Sequence, residues 1–114
     1  MLPKINRIKK KKDFEIIFKD SKSFRNNLFI LRVAQNNLGL SRFGFVVSKK
    51  ISKKAVVRNR IKRRLSEATR AYSEKIKSGT DLVFITLSGI EKKDFPEIKE
   101  AVTSAILKAR LTVG

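Results

Sequence analysis

The sequence predicts an α+β fold, and three observations carry that prediction. Apolar spacing alternates between the helical and the two-residue period in the order helix, strand, strand, helix, strand, helix. Only two prolines and five glycines interrupt the 114 residues, so no linker divides the chain. Hydrophobic residues make up 41% of it, enough for one core in a single domain spanning residues 1–114. The same order fits a split β-α-β arrangement. The loops leave room for short extra strands near residues 21–25 or 46–52.

Residues 1–12, "MLPKINRIKKKK", read as an extended basic arm. A short helix follows in "KDFEIIFKD", where Phe14, Ile17 and Phe18 stand three and four apart and share one face. "NLFILRVAQ" reads as a strand, with Phe29, Leu31 and Val33 facing one way and Leu28, Ile30 and Arg32 the other. "NNLG" is a turn signal. "SRFGFVVS" is the next strand, expected to pair with the previous one as a hairpin or meander. Its Gly44 marks a bulge or a close backbone approach.

A long helix is expected from about Ala55 to Lys77. Val57, Ile61, Leu65, Ala68, Tyr72 and Ile76 are spaced by four or three residues and give a narrow apolar stripe. Asn59, Arg63 and Arg70 then point away from the stripe. Arg60 and Arg64 lie on one flank, Arg58 and Lys62 on the other. Gly79 is the expected stop signal. "TDLVFITLS" is apolar on both faces and reads as a central strand. The last helix is "DFPEIKEAVTSAILKARL". Asp94 caps it, Pro96 suits its first turn and Glu97 completes a capping-box spacing. Phe95, Ile98, Val102, Ala105, Ile106 and Ala109 form its buried face.

The charge is segregated. The formal net charge is +18, from 28 Lys and Arg against 10 Asp and Glu. Residues 1–12 hold six bases and no acid, and residues 42–64 hold ten bases and no acid, so these runs supply +16 of the total. One such run is usually a solvated face. Two in so short a chain point to a polyanionic partner, with nucleic acid first.

Composition also limits the chemistry. Histidine and cysteine are absent, which excludes dyads and triads built on them, thiolate metal sites and disulfides. Lack of cysteine fits a reducing compartment. No glycine-rich phosphate loop occurs. Asp13, Glu15 and Asp20 are the nearest acidic cluster, but Asp13 and Glu15 face different ways on a helix. Asp13 or Lys12 fits better as a helix cap. No apolar run reaches membrane-spanning length, and the basic N-terminus lacks the apolar segment of a signal peptide.

The candidate RNA-binding residues follow from the charge. "SKKISKK" (Ser48, Lys49, Lys50, Lys53 and Lys54) leads into the start of the long helix, where N–H groups and the dipole favour phosphate. Arg58, Arg60, Lys62, Arg63 and Arg64 then offer phosphate contacts. Asn59 fits a sugar hydroxyl or base edge, and equally a solvent-facing helix position. Arg7, Lys9 and Lys10 extend the basic surface along the arm. A second candidate is apolar. Phe14 and Phe18 default to core, yet a short helix beside a strand that ends one face in Arg32 suggests a partly open cleft for single-stranded nucleic acid. A structural ribosomal-type RNA-binding protein is equally compatible with this composition. A DNA-binding module is less so, because the apolar side of the long helix is already committed.

"NRIKKKKDFEIIFK", "RFGFVVSKK" and above all "VVRNRIKRRL" resemble the protein component of bacterial ribonuclease P. The resemblance runs in register from about Asn6 to the last helix. It implies an α/β sandwich of the ribosomal protein S5 domain 2-like kind, with a mostly antiparallel central sheet and a left-handed crossover into the arginine helix, against the usual preference. It implies a protein that binds the catalytic RNA of ribonuclease P as a monomer, one to one, in the bacterial cytoplasm. The complex would remove the 5′ leader of precursor tRNA by phosphodiester hydrolysis, with catalytic Mg2+ held mainly by the RNA. The basic helix from Arg58 would face that RNA. Phe14, Phe18, Ile30 and Arg32 fall on positions of the leader-binding cleft. Four residues depart from the family pattern. Arg32 stands for a tyrosine, Ser66 and Thr69 for an arginine and a phenylalanine, and Leu87 for an arginine.

Overall fold

The structure is a computed structural model, and it describes residues 2–110. The outermost parts of the expected domain, Met1 and residues 111–114, including the last residue of the expected final helix, lie outside the described residues.

The regular elements are α1 (Lys11–Lys19), β1 (Lys22–Arg25), β2 (Phe29–Gln35), β3 (Arg42–Val46), α2 (Ala55–Arg70), β4 (Thr80–Thr86) and α3 (Phe95–Lys108). Short 3-10 turns occur at Lys4–Asn6 and Ile90–Lys92. The extra strand expected near residues 21–25 is β1, whereas residues 47–54 form turns and bends.

The sheet runs β1-β2-β4-β3. Two pairings are antiparallel and β3 pairs with β4 in parallel. The expected β2–β3 hairpin therefore does not form. The turn after Gln35 carries the chain past an open slot, and β4 later fills it. The strand most apolar on both faces takes the most shielded position, as burial demands. Leu82, Val83 and Phe84 are fully buried there.

The sheet has two unlike faces. On one, Phe29, Leu31, Phe43, Leu82 and Phe84 pack with Ile61, Leu65 and Ala68 of α2 and Ile98, Val102 and Ile106 of α3. The rings of Phe29 and Phe84 meet edge to face with centroids 5.1 Å apart, and Phe45 stacks on Phe84 at 5.7 Å. The other face carries a smaller cluster. Ile8, Ile17 and Val83 are buried there, with Phe14, Ala34, Val46 and Ile85 half-covered around them.

Three helix expectations need adjustment. The long helix ends at Arg70, not near Lys77, and residues 71–75 are turns. Tyr72 and Ile76 still reach the core, because a bond from Ile76 N to Tyr72 O closes one more turn. Gly79 is not the helix stop. Its φ of +79°, a region costly for other residues, lets its N–H donate to Leu40 O and its C=O accept from Asn36 N. The buried face of α2 is also wider than the predicted apolar stripe, because Ser66 and Thr69 are buried. The final helix forms as expected, with the Asp94 carboxylate accepting from Glu97 N at 3.0 Å.

The N-terminal segment is a docked strap more than a free extended arm. Leu2 and Ile8 are buried, and Ile8 N donates to Phe43 O at 2.8 Å beside a parallel bridge between Arg7 and Phe43. The Asn6 side chain donates to Ser41 O, and Leu2 N donates to the Ser66 hydroxyl.

Candidate nucleic-acid interface

The two acid-free runs meet in space. The strap lies along the β3 edge, and a recess of about 260 Å3 between strap, β3 and α2 is lined by Arg7, Lys9, Lys62 and Ser66 among others. Ser66 is small and already engaged with Leu2, so this departure from the family pattern seats the strap against the helix. The Arg7 Nε is buried without a hydrogen-bond partner.

The side of α2 away from the sheet presents Asn59, Arg60 and Arg63 to solvent, and Lys62 is exposed on the flank beside β3. The other two guanidiniums of the run are partly committed. Arg58 donates to Ser52 O at 2.9 Å and braces the turn before the helix. Arg64 donates to Lys93 O at 2.8 Å and ties α2 to the segment before α3. Ser48, Lys49, Lys50, Lys53 and Lys54 are all exposed. Lys54 is the N-cap of α2 without a side-chain cap, and no acid sits in the first turn. Lysines, helix N–H groups and the outward cations thus form one continuous positive surface. Lys10, the N-cap of α1, lies further along the strap and is exposed.

The apolar candidate lies on the open face of the sheet. Ile17 anchors α1 there, and Phe14 sits over Gly44, where a Cβ would come within 2.8 Å of the ring. Gly44 is therefore a close approach to an aromatic side chain. Phe18 is 40% exposed, with its ring 6.2 Å from that of Phe14. Ile30 is half-buried and pairs across the strands with Ile85. The guanidinium of Arg32 donates to Phe18 O at 2.7 Å and to the Ser21 hydroxyl at 2.8 Å, so it fastens the end of α1 to the sheet. The structure thus brings Phe14, Phe18 and Arg32 together, with Ile30 on the same face.

Sequence reasoning missed a charge network beside this cleft. Asp81 on β4 is buried, and both its oxygens accept from Arg42 of β3, at 2.9 and 2.7 Å. The Asn36 side chain donates to the same carboxylate at 2.6 Å. Arg42 also reaches Asp13 of α1 at 3.3 Å, so Asp13 is an ion-pair partner, and the cap role expected of Asp13 or Lys12 falls away because the N-cap is Lys10. The hydrogen bond to Asp81 is the largest influence on Arg42 and raises its pKa, against a smaller opposing effect of burial. A signal was present: an aspartate inside an otherwise apolar central strand calls for a compensating cation or hydrogen-bond donors close by.

Among the described residues no group of three or more acidic side chains is placed to hold a metal ion, and no helix is long and apolar enough to cross a membrane.

Comparison with known proteins agrees with these features. The Ribonuclease P family model matches residues 2–110. The ribonuclease P protein component of Clostridium kluyveri is 44% identical over 109 residues, covering 94% of this chain and 96% of that protein. That of Thermoanaerobacter sp. is 39% identical over 114 residues, covering 100% and 97%. The solved ribonuclease P protein of Staphylococcus aureus superposes with a TM-score of 0.87 at 28% identity, over 95% of this chain and 98% of that one. That of Thermotoga maritima gives 0.77 at 32% identity, over 86% and 92%. The strap, the cationic helix and the half-covered sheet thus belong to a chain of the ribonuclease P protein family, a subunit of that endoribonuclease.

Proposed function

We propose that the protein acts within ribonuclease P by holding the catalytic RNA on its cationic surface and the 5′ leader of precursor tRNA in the cleft beside α1. The observation that carries this reading is the union of the two acid-free runs on one surface, at Arg7, Lys9 and Lys62. A surface of this sign and extent matches the phosphate backbone of a structured RNA. Asn59, Arg60, Lys62 and Arg63 face outward from it, while Arg58 and Arg64 keep the helix in place.

The cleft suits single-stranded RNA for a different reason. The exposed Phe18 ring and the half-buried Phe14 and Ile30 offer apolar surface to unstacked bases. The protein contributes position and charge compensation, and bond cleavage belongs to the RNA. Asp13 and Asp81, two acids beside the cleft, are both bound to Arg42, so neither is a free ligand for Mg2+. Magnesium enters with the RNA, whose phosphates are its ligands.

The test is a reconstitution. Protein is mixed with a bacterial ribonuclease P RNA at low magnesium, and cleavage of a 5′-labelled precursor tRNA is followed. Protein-dependent release of the intact leader is expected. Absence of stimulation, with tight binding to other structured RNAs retained, returns the protein to a general RNA-binding role.

A further inference from the structure

We infer that Asp13 and Arg42 are positioning residues, which set the width of the cleft by pinning the N-terminal end of α1 to the sheet. The inference rests on the leader-binding reading above and deepens it.

Helix α1 is lightly held. It is nine residues long and buries one side chain, Ile17. Phe14 adds a contact over Gly44. A helix so short and so little buried has weak apolar preference for any one placement. Two guanidiniums, one near each end, supply the missing restraint. Near the C-terminal end Arg32 of β2 donates to Phe18 O. In the first turn Asp13 accepts from Arg42 of β3.

The second tie is rigid at its root. Arg42 cannot swing, because its Nε and Nη2 are both engaged by the buried Asp81. Asp81 is in turn fixed by Asn36, whose side chain also donates to Leu40 O. The remaining Nη1 is therefore presented from a fixed point. Asp13 is the movable partner, with its side chain 27% exposed. Phe14 and Phe18 stand one and five residues beyond Asp13 on the same short helix, so its placement sets where both rings stand over the sheet.

The test uses Asp13→Asn, which keeps the size and removes the charge, in the reconstituted holoenzyme. Affinity is measured for a precursor tRNA with a long leader and for one whose leader is a single nucleotide. A partly exposed pair is weak, so a loss of about three- to fivefold is expected for the long leader only. Affinity of the protein for the catalytic RNA and its melting temperature should stay unchanged. Asp13→Glu, which keeps the carboxylate, should retain most of the preference. In a Phe18→Ala background the Asp13→Asn loss should shrink, because one of the two rings it positions is gone. Equal loss on both substrates, a loss undiminished without Phe18, or no loss at all overturns the positioning role. If Phe18→Ala itself fails to discriminate between the two leaders, the cleft reading fails, and this inference fails with it. If Phe18→Ala discriminates and Asp13→Asn does nothing, the cleft stands and only the pin is overturned.

Discussion

The two faces of the sheet are built by opposite rules. The face under α2 and α3 is apolar and closed: Phe29, Leu31, Leu82 and Phe84 have no exposure. The face under α1 carries Arg32, Arg42 and the buried Asp81, and one short helix covers only part of it. Stability comes mostly from the first. On the second, charges fix geometry and part of the apolar surface stays uncovered. The contrast teaches that covering both faces equally would stabilise the fold and remove the cleft.

The contrast breaks if truncations on the two faces are costly for the same physical reason. On the closed face Phe84→Ala should cost about 3–5 kcal/mol, since it deletes a ring packed between Phe29 and Phe45. Denaturant unfolding measures it, and a cost near 1 kcal/mol would mean that the core relaxes around the gap.

On the open face Arg42→Ala should also be costly, about 3–5 kcal/mol, but for an electrostatic reason: it leaves Asp81 buried with no cation. The two causes separate in a double variant. Arg42→Met with Asp81→Leu should recover most of the stability, because replacing both partners removes the uncompensated charge. It should not recover leader preference, because Asp13 still lacks its partner. If the double variant is as unstable as Arg42→Ala, the network contributes to stability in its own right and the contrast weakens.

The outward cations provide a third comparison, within one helix. Arg60→Ala with Arg63→Ala should leave stability nearly unchanged, since both residues are exposed. The pair should weaken binding to the catalytic RNA and flatten its salt dependence by about one unit of slope for each phosphate no longer neutralised. Arg64→Ala should instead act on stability, because its guanidinium is engaged with Lys93 O. An unchanged slope in the double variant would remove Arg60 and Arg63 from the interface.

Much of this architecture is legible in the sequence, and the failures have physical causes. The cap at Asp94, the central place of "TDLVFITLS" and the face shared by Phe14, Ile17 and Phe18 follow from local spacing and chemistry. The order of the sheet does not. A turn signal after Gln35 says that the chain reverses, not which strand fills the neighbouring slot. Spacing overextends the long helix because Tyr72 and Ile76 stay in phase with its stripe, and turns can bury them as well as a helix can. The cationic surface is visible as composition. That Arg58 and Arg64 brace the scaffold while Arg60 and Arg63 face solvent depends on Ser52 and Lys93, which no periodicity brings to them.

The smallest expected effect sharpens the comparison most, because it separates cleft from core within one helix. Phe14 and Phe18 share a face of α1, and spacing alone treats them as equivalent. They are not. Phe14 is half-buried over Gly44, whereas Phe18 is 40% exposed. Phe18→Ala should therefore lower the melting temperature little. It should weaken binding of a precursor with a leader by up to the ~1–3 kcal/mol of one base stacked on an aromatic ring, and leave mature tRNA binding unchanged. Phe14→Ala should lower both stability and precursor binding, because its ring also fills the space above Gly44. Melting curves and paired binding titrations with precursor and mature tRNA decide the matter. If Phe18→Ala weakens both RNAs equally, or destabilises the protein as much as Phe14→Ala, then the open face is an incomplete core, not a site.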